Sequence, residues 1–361
     1  MIWRYAIATL IPVGLLALAA VFGGPFAAVA LIWLTLLSAV LDQVIPQPVP
    51  NQATDAGARA ADRLSAVLAI GHLLLIPLVL TAFIDPTQSF GQKLLLFLAT
   101  ASFLGQVSHP GAHELIHRKS TWLKSLGALV YTSFLFGHHV SAHRLVHHRY
   151  VGTPNDPNTP QTGEAFWPYV LRAWYGSFMA GWTQEGQRLQ RRKRTIWSPT
   201  NPYLVWVGGG FGMLIVAIQI AGFVGLISFV ALAVMTHLQI LLSDYIQHYG
   251  LSRRTLPNGR IEPIGPQHSW NAPKGFSSLL MMNAPSHSDH HMHPDRPYDT
   301  LETLSNAPTL PYSLPIMAVI ATIPQLWHRV MDRRAAKVMA AQAMLDVSDS
   351  DSAAVGAALA Q

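Results

Sequence analysis

The stretch that decides the fold is QKLLLFLATASFLGQVSHPGAHELIH, residues 92–117. Its first part is apolar over about 20 residues, the length that crosses a bilayer as a helix. It ends in His113 and His117, which lie four residues apart and would share one face of a helix. The stretch therefore predicts a membrane-spanning helix with a pair of imidazoles at one end.

The rest of the chain extends this pattern to an all-α integral membrane bundle. Half of the 361 residues are hydrophobic and 12% are charged, roughly half the charge of a typical soluble domain. Six apolar runs are long enough to span a bilayer, at 4–23, 26–45, 63–84, 92–112, 203–221 and 224–243. We predict six transmembrane helices and a histidine-rich catalytic cap in a single domain, 1–337. The alanine-rich stretch 338–361 is expected to be a flexible tail.

The basic residues predict the orientation in the membrane. Of the 24 Lys and Arg residues, only Lys93 is predicted to lie on the opposite side of the membrane from the histidines. Basic loops stay in the cytoplasm, so we expect both termini and the cap to be cytoplasmic, in a bacterial-type inner membrane. The formal charge of +6 is then explained by the basic residues on the cytoplasmic side of the membrane, and we expect no nucleic-acid partner.

Histidine is unusually frequent in this sparsely charged chain, with 17 residues against 18 acidic ones. Nine histidines form four groups, close to the cytoplasmic side of the predicted bundle. Within three groups the spacing of three or four residues places imidazoles on one helix face. The nine candidate metal ligands are His113, His117, His143, His147, His148, His248, His287, His290 and His291.

Nine imidazoles are too many for one metal ion and suit two ions, with four or five ligands each. Imidazole binds Fe, Zn, Cu and Ni, and oxygen activation would favour iron. The chain has no cysteine, which excludes thiolate zinc sites, iron–sulfur clusters and thiolate-ligated haem. The apolar helices beneath the histidines could hold a long apolar ligand that points at the metals.

Further side chains are expected to support these ligands. Metal-bound imidazole usually donates its second N–H group to a carboxylate or a carbonyl. For Asp156, which lies between Asn155 and Pro157, ordinary turn chemistry is the alternative. The expected supporting residues are Glu114, Asp156, Asp244, Asp289, His138, His139 and His293.

At these motifs the sequence resembles the integral-membrane alkane 1-monooxygenases, within the membrane fatty-acid desaturase and hydroxylase superfamily. The resemblance lies in three histidine boxes (113–118, 143–148 and 287–291), a Thr-Pro-x-Asp-Pro motif (153–157) and a His-Tyr-Gly-Leu signature (248–251). Ala142 and Gln247 stand where that family usually has glutamate. Neither is among the nine candidates, so we expect these departures to affect tuning and substrate range.

The resemblance implies that the nine histidines bind two non-haem iron ions. It also implies hydroxylation of the terminal carbon of an alkane by O2, with electrons from rubredoxin or ferredoxin and its NAD(P)H-dependent reductase. The sequence is consistent with an external source of electrons, since it has neither cysteine nor a nucleotide-binding motif. One alternative is a fatty-acyl desaturase or lipid hydroxylase with the same histidine boxes, and another is a zinc-binding membrane transporter.

Overall fold

The computed structural model describes residues 2–45, 50–256, 258–273 and 275–359, with side chains described as far as residue 344. The main helices are α1 (Ile2–Phe22), α2 (Phe26–Val44), α3 (Asp55–Ile84), α4 (Phe90–His117), α5 (Thr121–Ser133), α6 (139–150), α7 (Phe166–Arg191), α8 (Pro202–His248), α9 (Phe276–Leu280), α10 (His287–Met292), α11 (Leu314–Ala321) and α12 (Pro324–Leu359). Within these residues, β-structure is limited to two isolated bridges. The all-α prediction is confirmed.

Five helices of the described chain are long and apolar enough to cross a bilayer, namely α1 to α4 and α8. They make this a multi-pass membrane protein, as the hydropathy pattern predicts. The predicted runs 203–221 and 224–243 both lie within the 47 residues of α8. That helix is interrupted where Gly222 has a φ of 57°, a conformation that glycine adopts without steric cost.

Two helices extend beyond the predicted spans. α3 begins at Asp55 rather than at residue 63, and Gly57 donates its backbone N–H to the Thr54 hydroxyl just before it. The hydropathy pattern identifies only the apolar part of this helix, because its first two turns contain the charged residues Asp55, Arg59 and Asp62. α4 continues without a break to His117. The first histidine pair therefore belongs to a candidate spanning helix instead of following it.

α5 crosses the end of α4 at close range. A Cβ atom at Gly127 would lie 2.8 Å from the carbonyl oxygen of Ala112 and 2.8 Å from the Cβ atom of Leu115. Only glycine fits without movement of one helix. The close crossing brings Tyr131, one turn further along α5, against His109 of α4.

α12 runs through the predicted boundary at residue 337. Its first turns pack on the rest of the protein, since Trp327, Met331 and Ala335 are buried. The helix continues over 338–359, and Ala360 and Gln361 lie outside the described residues. The flexible tail and the single domain over 1–337 stay predictions.

Candidate metal centre

Five of the nine candidate histidines converge in one group, which we call the five-histidine group. Their potential ligand atoms all lie within 4.8 Å of one another. The Nε2 atom of His143 is 2.8 Å from that of His113 and 2.9 Å from that of His148. The members come from α4, α6 and α10: His113, His117, His143, His148 and His290.

The other four histidines form a second, fully buried group, the four-histidine group. Its members are His147, His248, His287 and His291, again within 4.8 Å. The Nε2 atom of His287 lies 2.9 Å from that of His248 and 3.0 Å from that of His291. The structure therefore brings all nine predicted histidines together, five in one group and four in the other.

The two groups are neighbours because sequence-adjacent histidines enter different groups. His147 and His148 divide in this way on α6, and His290 and His291 do so on α10. The rings of His148 and His291 face each other across the boundary, with centroids 4.6 Å apart. The arrangement is one compact centre with two sets of converging nitrogens.

The backbone of α6 departs from the α-helical spacing on which the prediction rested. Residues Ala142–His147 form a π-turn, in which hydrogen bonds join residues five apart. His143 and His148 therefore lie on one side, with their Nε2 atoms 2.9 Å apart. The α-helical spacing would pair His143 with His147, but the π-turn places those two residues in different groups.

The nitrogen positions fit bound metal ions. Two imidazole nitrogens that bind one ion at right angles, at about 2.1 Å each, would be about 3 Å apart. The close Nε2 pairs in both groups are 2.8 to 3.2 Å apart. In addition, the Nε2 atoms of His117 and His147 are buried without a hydrogen-bond partner among the described residues. A metal ion would satisfy these lone pairs.

Burial also keeps the imidazoles in the form that binds metals. Desolvation, reinforced by neighbouring histidines, holds the pKa of His148, His290 and His291 well below the ordinary value of 6.5. These rings are therefore neutral at pH 7. Metal binding requires neutral imidazole, so the site needs no proton release from these rings.

Asp156 is the predicted supporting carboxylate that contacts a candidate ligand directly. Its Oδ2 atom accepts a hydrogen bond from Nδ1 of His147 at 2.9 Å, and both side chains are buried. Burial alone would lower the pKa of His147, but the Asp156 carboxylate outweighs that effect and raises it. The carboxylate fixes the ring so that its Nε2 atom faces the other histidines, as outer partners of metal ligands do.

The other predicted carboxylates make different contacts in the described structure. Glu114 accepts a hydrogen bond from Arg118, which also pairs with Asp62 on α3. Asp244 accepts from Asn158, and Asp289 accepts from Arg296. These groups hold the segments that carry the histidines, so their expected support of the ligands is indirect.

The three predicted supporting histidines have different surroundings. His139 stacks on His143, with ring centroids 4.9 Å apart. His138 points away and packs against Phe178. His293 pairs with Asp289 at 2.8 Å and is partly exposed. Of the three, only His139 contacts one of the nine candidates through its ring.

Some residues of the site do not stand out in the sequence. His109 lies four residues before His113, and its ring is 6.0 Å from that of His113. The same four-residue spacing could have identified it. The carbonyl oxygen of His268 lies 3.3 Å from Nδ1 of His248, and Tyr131 binds His109. Neither of these last two contacts has a local sequence signal.

A cavity of about 460 Å³ extends from the histidines into the helices. Its inner end is lined by His109, His113, His139, His143, His287 and His290. Most of its remaining wall is apolar, and it includes Leu242, Ile246 and Met281. It reaches the outer surface at Leu36 of α2 and Val319 of α11, whose side chains are 64% and 65% exposed. The cavity thus connects the candidate metal centre with the apolar surface of the bundle.

The chain thus combines a multi-helix membrane bundle with imidazoles that converge at the end of an apolar cavity. These features place it in the class of membrane proteins with a histidine-rich candidate metal centre. The model of the fatty acid desaturase family matches residues 92–320. The chain belongs to this family, and the matched segment contains all nine histidines.

The chain is also similar to alkane 1-monooxygenases. It is 36% identical to alkane 1-monooxygenase 1 of Alcanivorax borkumensis over 71% of this chain and 64% of that protein. It is 36% identical to the enzyme of Ectopseudomonas oleovorans over 61% of this chain and 55% of that protein. For the Pseudomonas putida enzyme the identity is 33%, over 71% and 64%. The predicted resemblance is confirmed, and the chain spans less than two thirds of the length of these relatives.

Proposed function

We propose that the protein is a membrane-bound non-haem di-iron monooxygenase that hydroxylates the terminal carbon of an alkane to a primary alcohol. The observation that carries the proposal is the meeting of nine imidazoles, in groups of five and four, at the inner end of an apolar cavity. The similarity to alkane 1-monooxygenases supports the choice of iron and of a hydrocarbon substrate.

In this proposal the two histidine groups hold one iron ion each. Bound iron would supply the redox chemistry that activates O2. Asp156 orients His147, and the carbonyl of His268 orients His248. The apolar wall binds the hydrocarbon chain, directs one end toward His113, His143 and His290, and excludes water from that end.

We further propose six membrane spans, with the two arms of α8 counted separately at the break at Ala221 and Gly222. The histidine centre would lie at the cytoplasmic side of a bacterial-type inner membrane, because nearly all basic residues lie on that side. Electrons would come from rubredoxin or ferredoxin and its NAD(P)H-dependent reductase. Arg144 and Arg149 are exposed beside the histidines of α6 and could contact an acidic carrier.

A fatty-acyl desaturase or lipid hydroxylase is the second candidate, and one feature of the cavity favours it. The side chain of Gln106 lines the cavity, and its Oε1 atom is buried without a hydrogen-bond partner among the described residues. An alkane has no donor for this oxygen, whereas a substrate that carries a hydroxyl group could donate a hydrogen bond to it. Family membership is consistent with this candidate as well.

Metal analysis and product analysis on one preparation test the proposal. The purified protein should contain two iron ions per chain. With reductase, rubredoxin and a mixture of alkanes, fatty acids and methylarenes, mass spectrometry should identify a primary alcohol from the alkane. Double-bond or mid-chain products would favour the second candidate. Stoichiometric zinc without oxygen consumption would contradict both and favour a zinc-binding membrane protein.

Two histidine variants then test the ligand assignment. We expect His290→Ala, in the five-histidine group, and His147→Ala, in the four-histidine group, to lose iron and turnover together. His328→Ala is the control, since His328 contacts Tyr249 and Asp332 rather than the candidate ligands. Full iron content in both test variants would rule the assignment out.

A further inference from the structure

Tyr131 is a buried phenol that lies close to the candidate metal centre without lining the cavity. Its side chain is fully buried in α5. Its Oη atom is hydrogen-bonded to Nδ1 of His109 at 2.9 Å. The close crossing of α5 and α4 at Gly127 holds this pair together. The proposed hydroxylation mechanism assigns no role to either residue.

Two short ring paths connect Tyr131 with the five-histidine group. In the first, its ring centroid is 4.8 Å from that of His139, which stacks on His143 at 4.9 Å. The second path goes through His109, whose ring lies 6.0 Å from that of His113. Among the described ring contacts, Tyr131 is the one tyrosine or tryptophan within two contacts of a candidate ligand. By ring contacts, it is therefore the phenol or indole nearest to the candidate ligands.

The surroundings favour loss of a proton and an electron together. Burial raises the pKa of the Tyr131 phenol well above its ordinary value of 10, so the phenol stays protonated at rest. Removing an electron alone would leave a phenol radical cation, which is a far stronger acid than the neutral phenol and needs a base within hydrogen-bond distance. The Nδ1 atom of His109, at 2.9 Å, is a base that can take the proton at the same moment.

We propose that Tyr131 is a protective reductant of the metal centre, an inference that rests on the proposed oxygenase function. When oxygen has been activated and no substrate occupies the cavity, Tyr131 gives one electron to the oxidised centre through the ring of His139. Its phenolic O–H bond breaks and the proton passes to Nδ1 of His109, which leaves a neutral phenoxyl radical. Tyr131 thus supplies the first of the two electrons that the activated centre accepts, and the external electron donor of the oxygenase supplies the second. The same donor later returns the electron to Tyr131, and His109 returns the proton.

The cavity wall contains side chains that need such protection. Met281 and Met282 line the cavity, as do the candidate ligands His113, His143 and His290. Thioethers are readily oxidised to sulfoxides, and loss of a ligand ring would destroy the metal site. Tyr131 lies behind this wall, where it can supply an electron without occupying the space for substrate.

The first test is a direct search for the radical in the intact, iron-loaded protein. The reduced protein is mixed with O2 in the absence of substrate, frozen within milliseconds and examined by electron paramagnetic resonance. A tyrosyl signal should appear, should narrow when the protein is made with ring-deuterated tyrosine, and should weaken when an alkane is bound. Its absence, despite oxygen uptake by the same sample, would overturn the inference and leave the proposed function standing.

The second test compares Tyr131→Phe with Tyr203→Phe as a matched control. Tyr203 is also fully buried and donates one hydrogen bond, to the carbonyl of Phe178 at 2.8 Å. Its described ring contacts, with Phe178, Trp182 and Trp206, include none of the nine candidate ligands. We expect Tyr131→Phe to lose the signal, and oxidised Met281, Met282 and histidine peptides per O2 consumed to rise several-fold by mass spectrometry. Tyr203→Phe should match wild type in both readouts.

Three further outcomes decide whether Tyr131 is the reductant. A radical that persists in Tyr131→Phe, or equal damage in the two variants, would overturn the inference. If Tyr131→Phe does not fold, trapping of the wild-type radical on the peptide that contains residue 131 supports the inference, and trapping elsewhere overturns it. Wild-type protein that binds no iron and consumes no oxygen would overturn the proposed function and this inference together.

Discussion

Replacing Asp156 with asparagine removes a buried charge behind one candidate ligand at nearly constant side-chain size. In the native structure, Oδ2 of Asp156 accepts hydrogen bonds from Nδ1 of His147 at 2.9 Å and from the hydroxyl of Thr159 at 2.8 Å. Oδ1 accepts a third from the backbone N–H of Asn158 at 3.1 Å. Asparagine can keep its carbonyl toward His147, but its amide N–H2 group then faces the N–H of Asn158.

The expected loss follows from the kind of hydrogen bond that is removed. A bond to a charged partner contributes about 1.5–3 kcal/mol and a neutral one about 0.5–1.5 kcal/mol. The difference of about 1–1.5 kcal/mol corresponds to roughly a tenfold change in binding. Loss of an outer partner of a metal ligand typically costs 10–100-fold in metal affinity or activity. We therefore expect Asp156→Asn to weaken binding of the iron ion in the four-histidine group, to which His147 belongs, by at least about tenfold.

Chelator competition on the purified protein measures this change. Iron retained per chain is plotted against chelator concentration for wild type, Asp156→Asn and the control Asp295→Asn. Asp295 is a suitable control because its carboxylate is exposed and pairs only loosely with Lys119, at 3.7 Å. Superimposable curves for wild type and Asp156→Asn would refute the view that this carboxylate supports a metal ligand.

Three further predictions concern packing and the cavity. Gly127→Ala should lower the thermal unfolding temperature in detergent, because the new Cβ atom would clash with Ala112 and Leu115 at a cost of about 1–3 kcal/mol. Gly208→Ala is the control and should not lower this temperature, because a Cβ atom at Gly208 has no neighbour within 4 Å. Ala318→Trp should fill part of the cavity and reduce alkane turnover several-fold at unchanged iron content, whereas Val224→Trp on the exposed surface should match wild type. Gln106→Leu should lower the KM for alkanes and raise it for fatty alcohols, as competition assays would show, because the variant removes the acceptor Oε1 from the cavity wall. Unchanged KM values for both substrates would contradict a role of this amide in substrate choice.

The sequence predicted the membrane bundle and the set of nine histidines because both depend on local patterns. Apolar runs of sufficient length indicate helices that cross a bilayer, and spacings of three or four residues indicate shared helix faces. The structure brings five of these histidines together in one group and four in the other, and their binding of two metal ions stays a prediction. The break in α8 also lies between two predicted runs, at Ala221 and Gly222.

The division into groups could not be predicted, because it depends on tertiary contacts and on one irregular helix. Neighbours in the chain, such as His147 and His148, enter different groups. The π-turn at Ala142–His147 replaces the α-helical period on which the prediction relied. Similarly, the Thr-Pro-x-Asp-Pro motif is enough to identify Asp156 as a candidate residue. In contrast, the contact of Tyr131 with His109 can be predicted only when the position of α5 on α4 is known.

The opening of the cavity at Leu36 and Val319 on the apolar outer surface affects how kinetics should be measured. A hydrocarbon that arrives through this opening is drawn from the bilayer, so its effective concentration is its mole fraction in lipid. Each added methylene favours transfer from water to lipid by about 0.8 kcal/mol, or roughly fourfold. A KM expressed per volume of water would therefore fall about fourfold per methylene even for an enzyme without chain-length preference. Genuine selectivity can be read only when substrate is counted per lipid molecule.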